Sequence, residues 1–241
     1  MHRLLVPIET LADDCPVLPP EGARHLKVVR PKAGEVVELF DGRGRVRRFT
    51  WDGTRLAAAG GIVEFPPPAR RISLFACVTK GSRWDWTIEK AVELGVGRIV
   101  PVISARSIVR LSPAERPAKA ERWRRIAEDA ARQSDAVWLP EVVEAVDFPE
   151  ALRMARDSGR IFAGALMDPP PPPMLSAVMS GEWPYPPDCG VFVGPEGDFT
   201  KEELDALLEV AEPVSFGPTI LRAETAAIFG LSVLAAAGHV I

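Results

Sequence analysis

The chain has 241 residues, of which 47% are hydrophobic and 26% are charged, and its formal net charge is −4. This balance is ordinary for a globular protein and leaves room for one large domain or two smaller ones. Three widely separated cysteines and three scattered histidines argue against a disulfide scaffold or a structural metal site. We expect reduced thiols, a cytoplasmic location without secretory signal or membrane span, and no metal.

The charge is unevenly distributed along the chain. Residues 1–71 carry 12 basic and 9 acidic side chains, whereas residues 72–241 carry 17 and 24. A locally basic face can bind a nucleic-acid backbone even when the whole protein is acidic. The same difference also lies within ordinary variation, so the charge alone does not identify a partner.

The first part of the chain is typical of short strands and turns. Val36–Phe40 and Val46–Trp51 are predicted strands, and Asp41–Gly44 between them is typical of a hairpin turn. A further short run, Ile62–Phe65, follows a pair of glycines. Pro66–Pro68 then interrupts regular structure, because proline cannot donate to a ladder. We therefore predict a small β-rich domain at 1–69 and a second domain at 70–241.

From residue 70 onward, strand patterns alternate with helix patterns. Continuous apolar runs indicate strands that are buried on both faces, and apolar residues at helical spacing indicate helices between them. This alternation predicts an α/β fold with a mostly parallel sheet and helices on both faces. The predicted strands are Ile72–Val78, Arg98–Ile103, Ile161–Leu166, Gly190–Val193 and Val214–Phe216, and the helices are Trp84–Val92, Ala114–Gln133, Phe148–Asp157 and Ala226–Ala237.

Two glycine-containing turns near the carboxyl end each follow a predicted strand and lead into a helix. The first is Gly194–Thr200, and Thr200 with Glu203 has the spacing of a capping box, so a helix is predicted to begin there. The second runs from Phe216 to Ala226. Open α/β sheets bind ligands at the carboxyl ends of neighbouring strands, so the pair of turns indicates a cofactor pocket. One such turn alone is more often a simple connection. The usual Gly-x-Gly-x-x-Gly and Walker A patterns of nucleotide sites are missing.

The amino-acid sequence of these turns resembles that of the RsmE family of ribosomal small-subunit RNA methyltransferases, which belongs to the SPOUT superfamily. The resemblance extends over nearly the whole chain. The matching segments are Gly194–Gly197, Gly217–Ala227, Lys80–Trp86, Lys90–Val96, Arg122–Trp123, Gln133–Ser134, His25–Arg30 and Leu39–Gly42. The chain departs from the family pattern at Asp198, Thr219, Ala223 and Ala136.

The resemblance implies a function and a fold that spacing alone does not show. It implies methylation of N3 of a uridine in 16S ribosomal RNA, with S-adenosylmethionine as cofactor and the small ribosomal subunit as partner. It also implies a PUA-like RNA-binding domain at 1–69, a SPOUT domain with a trefoil knot at 70–241, and a homodimer. The implied cofactor-binding residues are Leu166, Val193, Gly194, Pro195, Glu196, Gly197, Phe216, Gly217, Ile220, Leu221, Arg222 and Thr225.

The reaction also needs groups that act on the uridine. Arg222 is our candidate for stabilising negative charge on the base, because a guanidinium stays charged and donates in a fork. Glu196 and Glu224 are candidates for a base or for orienting groups. The alternative roles are an ion pair with Arg222 for Glu224 and the capping of a turn for Glu196. The candidate RNA contacts, each with surface charge as its alternative role, are Arg3, His25, Arg30, Arg43, Arg45 and Arg47.

Three other functions fit parts of the same pattern. A SPOUT enzyme with another target, such as a ribose 2′-hydroxyl or a transfer-RNA base, would share the cofactor turns. A non-catalytic RNA-binding or assembly factor could keep the fold, and Asp198 and Thr219 leave this alternative open. An α/β enzyme that acts on small molecules, with the first domain as a lid, is the third.

Overall fold

The structure, a computed structural model, describes residues 2–180 and 188–239, with the backbone alone at 239. The chain divides into two compact units. The first consists of Met1–Pro68 together with Glu128–Leu139, and the second of Ala69–Ala127 together with Pro140–Ile241. The first unit is therefore built from two separate stretches of sequence.

The first unit contains a five-stranded sheet and two short helices. Its elements are β1 (His2–Leu5), α1 (Ile8–Ala12), α2 (Pro20–Val29), β2 (Val36–Phe40), β3 (Arg45–Trp51), β4 (Leu56–Ala58) and β5 (Val63–Glu64). Strand β2 pairs in parallel with β1 and antiparallel with β3, and β3 pairs antiparallel with β4 and β5. The predicted hairpin is confirmed.

This part of the chain was predicted to contain short strands and turns, and the prediction is wrong where α1 and α2 form. Pro20 occupies the first turn of α2, where its missing N–H leaves no hydrogen bond unmade. Gly22 and Leu26 lie four residues apart and are the buried positions of this helix. Helix α1 is only five residues long, so its helical period is too short to read from sequence.

The second unit contains a parallel sheet and most of the helices. Its elements are β6 (Arg71–Cys77), α3 (Ser82–Glu93), β7 (Arg98–Ile103), α4 (Arg116–Gln133), β8 (Glu141–Val142), β9 (Val146–Asp147), α5 (Phe148–Arg156), β10 (Arg160–Gly164), α6 (Met174–Met179), β11 (Asp188–Val193), α7 (Lys201–Leu208), β12 (Glu212–Val214) and α8 (Ala223–His239). Helix α4 ends within the first unit's second stretch. The strand order is β12-β10-β11-β6-β7-β8, with β9 also on β7, and every pairing is parallel.

Helices cover both faces of this sheet, which confirms the prediction of a parallel α/β arrangement. Successive side chains of a strand point to opposite faces. Phe192 of β11 packs with Phe148 of α5 and Leu207 of α7 in one core cluster. Its neighbour Val191 faces the other way, toward α8, where a Cβ on Gly230 would lie 2.7 Å from it.

Candidate cofactor site

Three neighbouring strands of the sheet end at one edge. Strands β12, β10 and β11 are adjacent and parallel, so their carboxyl ends lie side by side. The segments that follow them, 165–166, 194–198 and 215–222, line a single cavity of about 300 Å³. This volume lies at the lower end of the range for small-molecule sites. The two glycine turns, which are far apart in sequence, therefore meet at one site.

One wall of the cavity depends on the small size of Gly164. A Cβ at this position would lie 2.2 Å from the Phe216 ring, well inside van der Waals contact. The same ring packs against Phe229 of α8, with centroids 5.5 Å apart. Phe216 was predicted to end a strand, but β12 ends at Val214. The chain has left the sheet at this point, and the aromatic ring closes the end of β10 instead.

A second wall offers free backbone groups. In the part of the chain that the structure describes, the N–H and C=O groups of Thr219, Ile220 and Leu221 form no hydrogen bond. All three residues line the cavity. Unpaired amides and carbonyls can bind a polar heterocycle edge to edge, and they do so whatever the side chains are. Thr219, a departure from the family pattern, therefore leaves this binding mode intact.

The first glycine turn is tightly folded. The N–H of Asp198 donates to the carbonyl of Pro195 at 3.0 Å, and Asp198 has a φ of +58°. Aspartate tolerates this left-handed region better than most residues with a Cβ. Its Oδ1 accepts from the N–H of Phe199 at 2.8 Å. Asp198 therefore adopts a conformation that glycine adopts with less strain.

The helix after this turn begins as predicted. Thr200 accepts from the N–H of Glu203 at 3.2 Å, and the Glu203 carboxylate accepts from the N–H of Thr200 at 3.1 Å. This reciprocal pair is the predicted capping box, and it starts α7 at Lys201. The cap fixes where the turn ends and the helix begins.

Arg83 links the two candidate carboxylates. Its guanidinium lies 3.6 Å from Glu196 and 3.8 Å from Glu224. The Glu224 side chain is 13% exposed, and its Oε2 is buried without a hydrogen-bond partner. Glu224 thus pairs with Arg83 rather than with Arg222. Sequence reasoning did not select Arg83, although it lies in the Lys80–Trp86 segment that carries the family resemblance.

Arg222 immediately precedes α8, and its guanidinium is available to a ligand. It lines the cavity and is exposed. Among the described residues, its guanidinium has no ion pair or hydrogen bond. It can therefore donate to a bound molecule without breaking an internal contact. Glu196 and Asp198 line the same cavity, so the site holds one cationic and two acidic side chains.

The structure brings most of the predicted cofactor residues together. Gly197 and Thr225 are absent from the cavity wall, and of the catalytic candidates Glu224 is absent as well. The wall also contains eight residues that were not predicted: four lie at the end of β10 or the start of α8, and the other four lie in or beside the two glycine turns. The predicted residues that line the cavity are Leu166, Val193, Gly194, Pro195, Glu196, Phe216, Gly217, Ile220, Leu221 and Arg222. The additional ones are Gly164, Ala165, Asp198, Val214, Ser215, Thr219, Ala223 and Ala226.

Arg3 is a correction to the predicted RNA contacts. It is 5% exposed, and its guanidinium lies 4.4 Å from the centre of the Phe40 ring. It donates to Glu38 at 2.9 Å and to the carbonyls of Ala131 and Ala136 at 3.0 and 3.2 Å. All these groups belong to the first unit. Arg3 therefore holds that unit together and is not available to RNA.

Arg47 is a second correction, for the same physical reason. Its guanidinium donates to the carbonyls of Gly60 and Leu11 at 2.8 and 2.9 Å, and it pairs with Asp14. The side chain is 10% exposed. These bonds join β3 to α1 and to the segment before β5. Arg47 was predicted to contact RNA, with surface charge as its alternative role, but its side chain points to the interior.

The remaining basic residues of the predicted set are accessible to differing degrees. Arg30 and Arg43 are exposed, and among the described residues their guanidinium groups form no ion pair or hydrogen bond. His25 is half-buried, and burial together with nearby Arg132 lowers its pKa. Arg45 pairs with Asp41 at 3.0 Å. Arg30 and Arg43 are thus the members of the set best placed to bind phosphate.

The described ranges 2–180 and 188–239 contain neither a metal-binding cluster nor a membrane-spanning helix. No group of three or more His, Cys, Asp or Glu side chains is arranged to hold a metal ion there. None of the helices in these ranges is long and apolar enough to cross a bilayer.

Comparison with known protein families identifies the class of protein to which this parallel sheet and its cavity belong. A family model described as an RNA methyltransferase domain matches residues 66–235. The chain therefore belongs to the RNA methyltransferase domain family.

More specific relatives cover both units. The Ribosomal RNA small subunit methyltransferase E of Synechocystis sp. is 30% identical over 96% of this chain and 76% of the relative. The protein of the same name from Bacillus subtilis is also 30% identical, over 68% of this chain and 65% of the relative. A solved Ribosomal RNA small subunit methyltransferase E from Neisseria gonorrhoeae, bound to S-adenosyl methionine, has a TM-score of 0.79 and 27% identity and covers 97% of this chain and 96% of its own. These matches confirm the resemblance to the RsmE family.

Proposed function

We propose that this protein transfers a methyl group from S-adenosylmethionine to N3 of a uridine in 16S ribosomal RNA of the small subunit. The observation that carries this proposal is the single cavity that both glycine turns and the end of β10 line. Family membership supports the transfer of methyl groups to RNA. The relatives named for the small subunit support the choice of RNA.

The residues of the cavity fit S-adenosylmethionine. The free backbone groups of Thr219, Ile220 and Leu221 suit an adenine, whose edge both donates and accepts. Glu196 and Asp198 favour a cation in the cavity, because opposite charges attract strongly where water is partly excluded. When bound, the cofactor supplies a methyl group that is electrophilic because it is attached to a positively charged sulfonium. The solved relative from Neisseria gonorrhoeae contains this cofactor.

Arg222 acts on the uridine in this proposal. N3 of uridine carries a proton, and the base becomes a good nucleophile when that proton leaves and the charge spreads over O2 and O4. An unpaired guanidinium at the cavity can stabilise this negative charge by donating to an oxygen of the base. The charge of Arg222 is not used elsewhere among the described residues, so it costs no internal bond to engage the substrate.

The two carboxylates have different roles in this proposal. Glu196 lines the cavity, so it is the candidate proton acceptor. Glu224 lies off the cavity and holds Arg83 together with Glu196, so it orients rather than reacts. Arg83 in turn ties the first glycine turn to the start of α8. This pairing fixes the direction of the Glu196 carboxylate.

We also propose the finer features of the fold that the family resemblance implies. Residues 70–241 form a SPOUT domain whose carboxyl-terminal part is a trefoil knot, and residues 1–69 form a PUA-like RNA-binding domain in which Arg30, Arg43 and His25 contact RNA. The exposed Leu166, Ile220, Leu175 and Phe229 support a homodimer, since large exposed apolar groups usually mark interfaces. We propose a cytoplasmic location, which a ribosomal substrate supports.

Loss and restoration of one modified nucleoside tests this function. Nucleosides of 16S RNA are measured by mass spectrometry in a deletion strain that carries the wild-type gene, the Arg222→Ala gene or the Arg125→Ala gene. Arg125 is the matched control, because it is exposed and pairs with Glu121 on its own helix. We expect 3-methyluridine to be lost on deletion and restored by the wild-type and Arg125→Ala genes. In the purified enzyme, we expect Arg222→Ala to lower the rate of methyl transfer by about 100-fold.

Other outcomes would select the alternatives. Unchanged 3-methyluridine together with loss of a ribose 2′-O-methyl group or a transfer-RNA modification would mean a different RNA target. Unchanged modification of every RNA, with the protein still retained on small subunits, would mean an assembly factor. Absence of any RNA association at low salt would favour a small-molecule enzyme.

A further inference from the structure

A short segment after β7 is firmly attached to the second unit. Ser104 and Ser107 are buried, and the Ser107 hydroxyl accepts from the N–H of Ser104 at 3.0 Å. The Ser104 hydroxyl lies 3.4 Å from the Cys77 sulfur. Arg110 donates to the carbonyls of Ser104 and Ala105. We call residues 104–110 the anchor segment, since its own bonds fix its shape.

The anchor segment holds the first glycine turn at its far side. Arg106 donates to the carbonyls of Gly197 and Phe199, each at 3.1 Å. Its Cβ lies 3.4 Å from the place where a Cβ of Gly197 would stand, so the two backbones approach closely. The N–H of Ala105 donates to Glu203 at 2.7 Å. Three hydrogen bonds from one segment thus span the turn and the cap of the next helix.

Asp198, which lies between the two residues whose carbonyls Arg106 binds, has an unfavourable backbone conformation. Asp198 lies between Gly197 and Phe199 and has a φ of +58°. A left-handed conformation is unfavourable for a residue with a Cβ, and it persists when the surroundings fix it. Hydrogen bonds from a guanidinium are among the stronger ones in proteins. Arg106 donates to the carbonyls of the residues before and after Asp198, so it restrains the backbone on both sides of this left-handed residue.

We propose that Arg106 is a positioning residue for cofactor binding, acting through the backbone of the first glycine turn. Arg106 does not line the cavity, whereas Gly194, Pro195, Glu196 and Asp198 do. It keeps the turn in its cavity-lining shape before the cofactor arrives, which removes an ordering cost from binding. This inference rests on the proposed use of S-adenosylmethionine.

Calorimetric binding of S-adenosylmethionine to the full-length protein tests the inference. The variants are Arg106→Ala, Arg106→Lys and the control Arg125→Ala. We expect Arg106→Ala to weaken binding by about 10-fold or more, Arg106→Lys to lie between it and wild type, and the control to bind as wild type does. The lysine keeps the charge but replaces the rigid guanidinium fork with a single ammonium group. Arg106→Lys is also the variant that carries the test if the alanine variant does not fold.

Steady-state kinetics separate positioning from a general loss of structure. For Arg106→Ala we expect the KM for S-adenosylmethionine to rise with the dissociation constant, and kcat at saturating cofactor to stay within about 3-fold of wild type. Wild-type affinity in a folded Arg106→Ala or Arg106→Lys would overturn the inference, as would a fall in kcat with an unchanged KM. If wild type itself does not bind S-adenosylmethionine, the proposed function fails; if wild type binds and Arg106→Ala binds equally well, only this inference fails.

Discussion

Replacing Gly164 with alanine tests whether the Phe216 ring forms the cavity wall. An ideal Cβ at Gly164 lies 2.2, 2.6 and 3.0 Å from three ring carbons of Phe216. Nonbonded carbons are stable at about 3.5 Å or more, so the ring must retreat by more than about 1 Å. It cannot do so without disturbing its packing on Phe229, at 5.5 Å between centroids.

The expected effect falls on cofactor binding more than on folding. Overpacking of this kind typically lowers the free energy of unfolding by about 1–3 kcal/mol, and here the tip of a side chain gives way, so we expect about 1 kcal/mol. The displaced ring enters or deforms a cavity of about 300 Å³. We therefore expect the affinity for S-adenosylmethionine to fall by about 10-fold or more, equivalent to about 1.4 kcal/mol.

Calorimetry and thermal unfolding measure the two quantities, and two further variants make the result specific. Gly60→Ala is the matched control, since a Cβ there meets nothing within 4 Å. Gly164→Ala combined with Phe216→Leu shortens the obstructing side chain and should recover part of the lost affinity. Unchanged affinity in Gly164→Ala, or no recovery in the double variant, would refute the steric argument.

Two other predictions follow from buried groups. Arg3→Met should lower the free energy of unfolding by about 3 kcal/mol or more in chemical denaturation, because it removes the donor to Glu38 Oε1 and to two carbonyls in a buried environment. The exposed Arg24→Met is the control, and equal stability of the two variants would contradict the assignment. In the native protein, a thiol reagent should modify Cys15 alone, since it is exposed, whereas burial raises the pKa of the Cys77 thiol to about 12 and the remaining cysteine is also buried. Rapid modification of more than one thiol before unfolding would show that this core opens.

Local patterns predicted the second unit well. Capping at Thr200, the buried face of α3 and the apolar runs of the strands each depend on residues within a few positions of one another. Such local patterns predict the same helix or strand in any fold that buries the same face of the element. The two-residue strands β8 and β9 and the five-residue α1 carry no comparable signal, because a full period does not fit into them.

The site was predicted where backbone shape matters and missed where distant side chains matter. Glycines mark the turns directly, so the cavity-lining set was mostly recovered. Arg83 and Arg106 act on Glu196 and Gly197 from about 90 or more residues away in sequence, and no spacing encodes such pairs. The burial of Arg3 and Arg47 was hidden for the same reason, since an arginine that bonds to distant carbonyls has the same local sequence as one at the surface.

The position of the acceptors of Arg3 bears on the order in which the protein can fold during synthesis. Ala131 and Ala136, whose carbonyls receive the Arg3 guanidinium, are 128 and 133 residues further along the chain. While a ribosome is still translating the intervening codons, the nascent amino-terminal sheet has one buried cation without those two acceptors. The first unit therefore matures only after residue 136 has been translated, although its strands emerge from the ribosome much earlier.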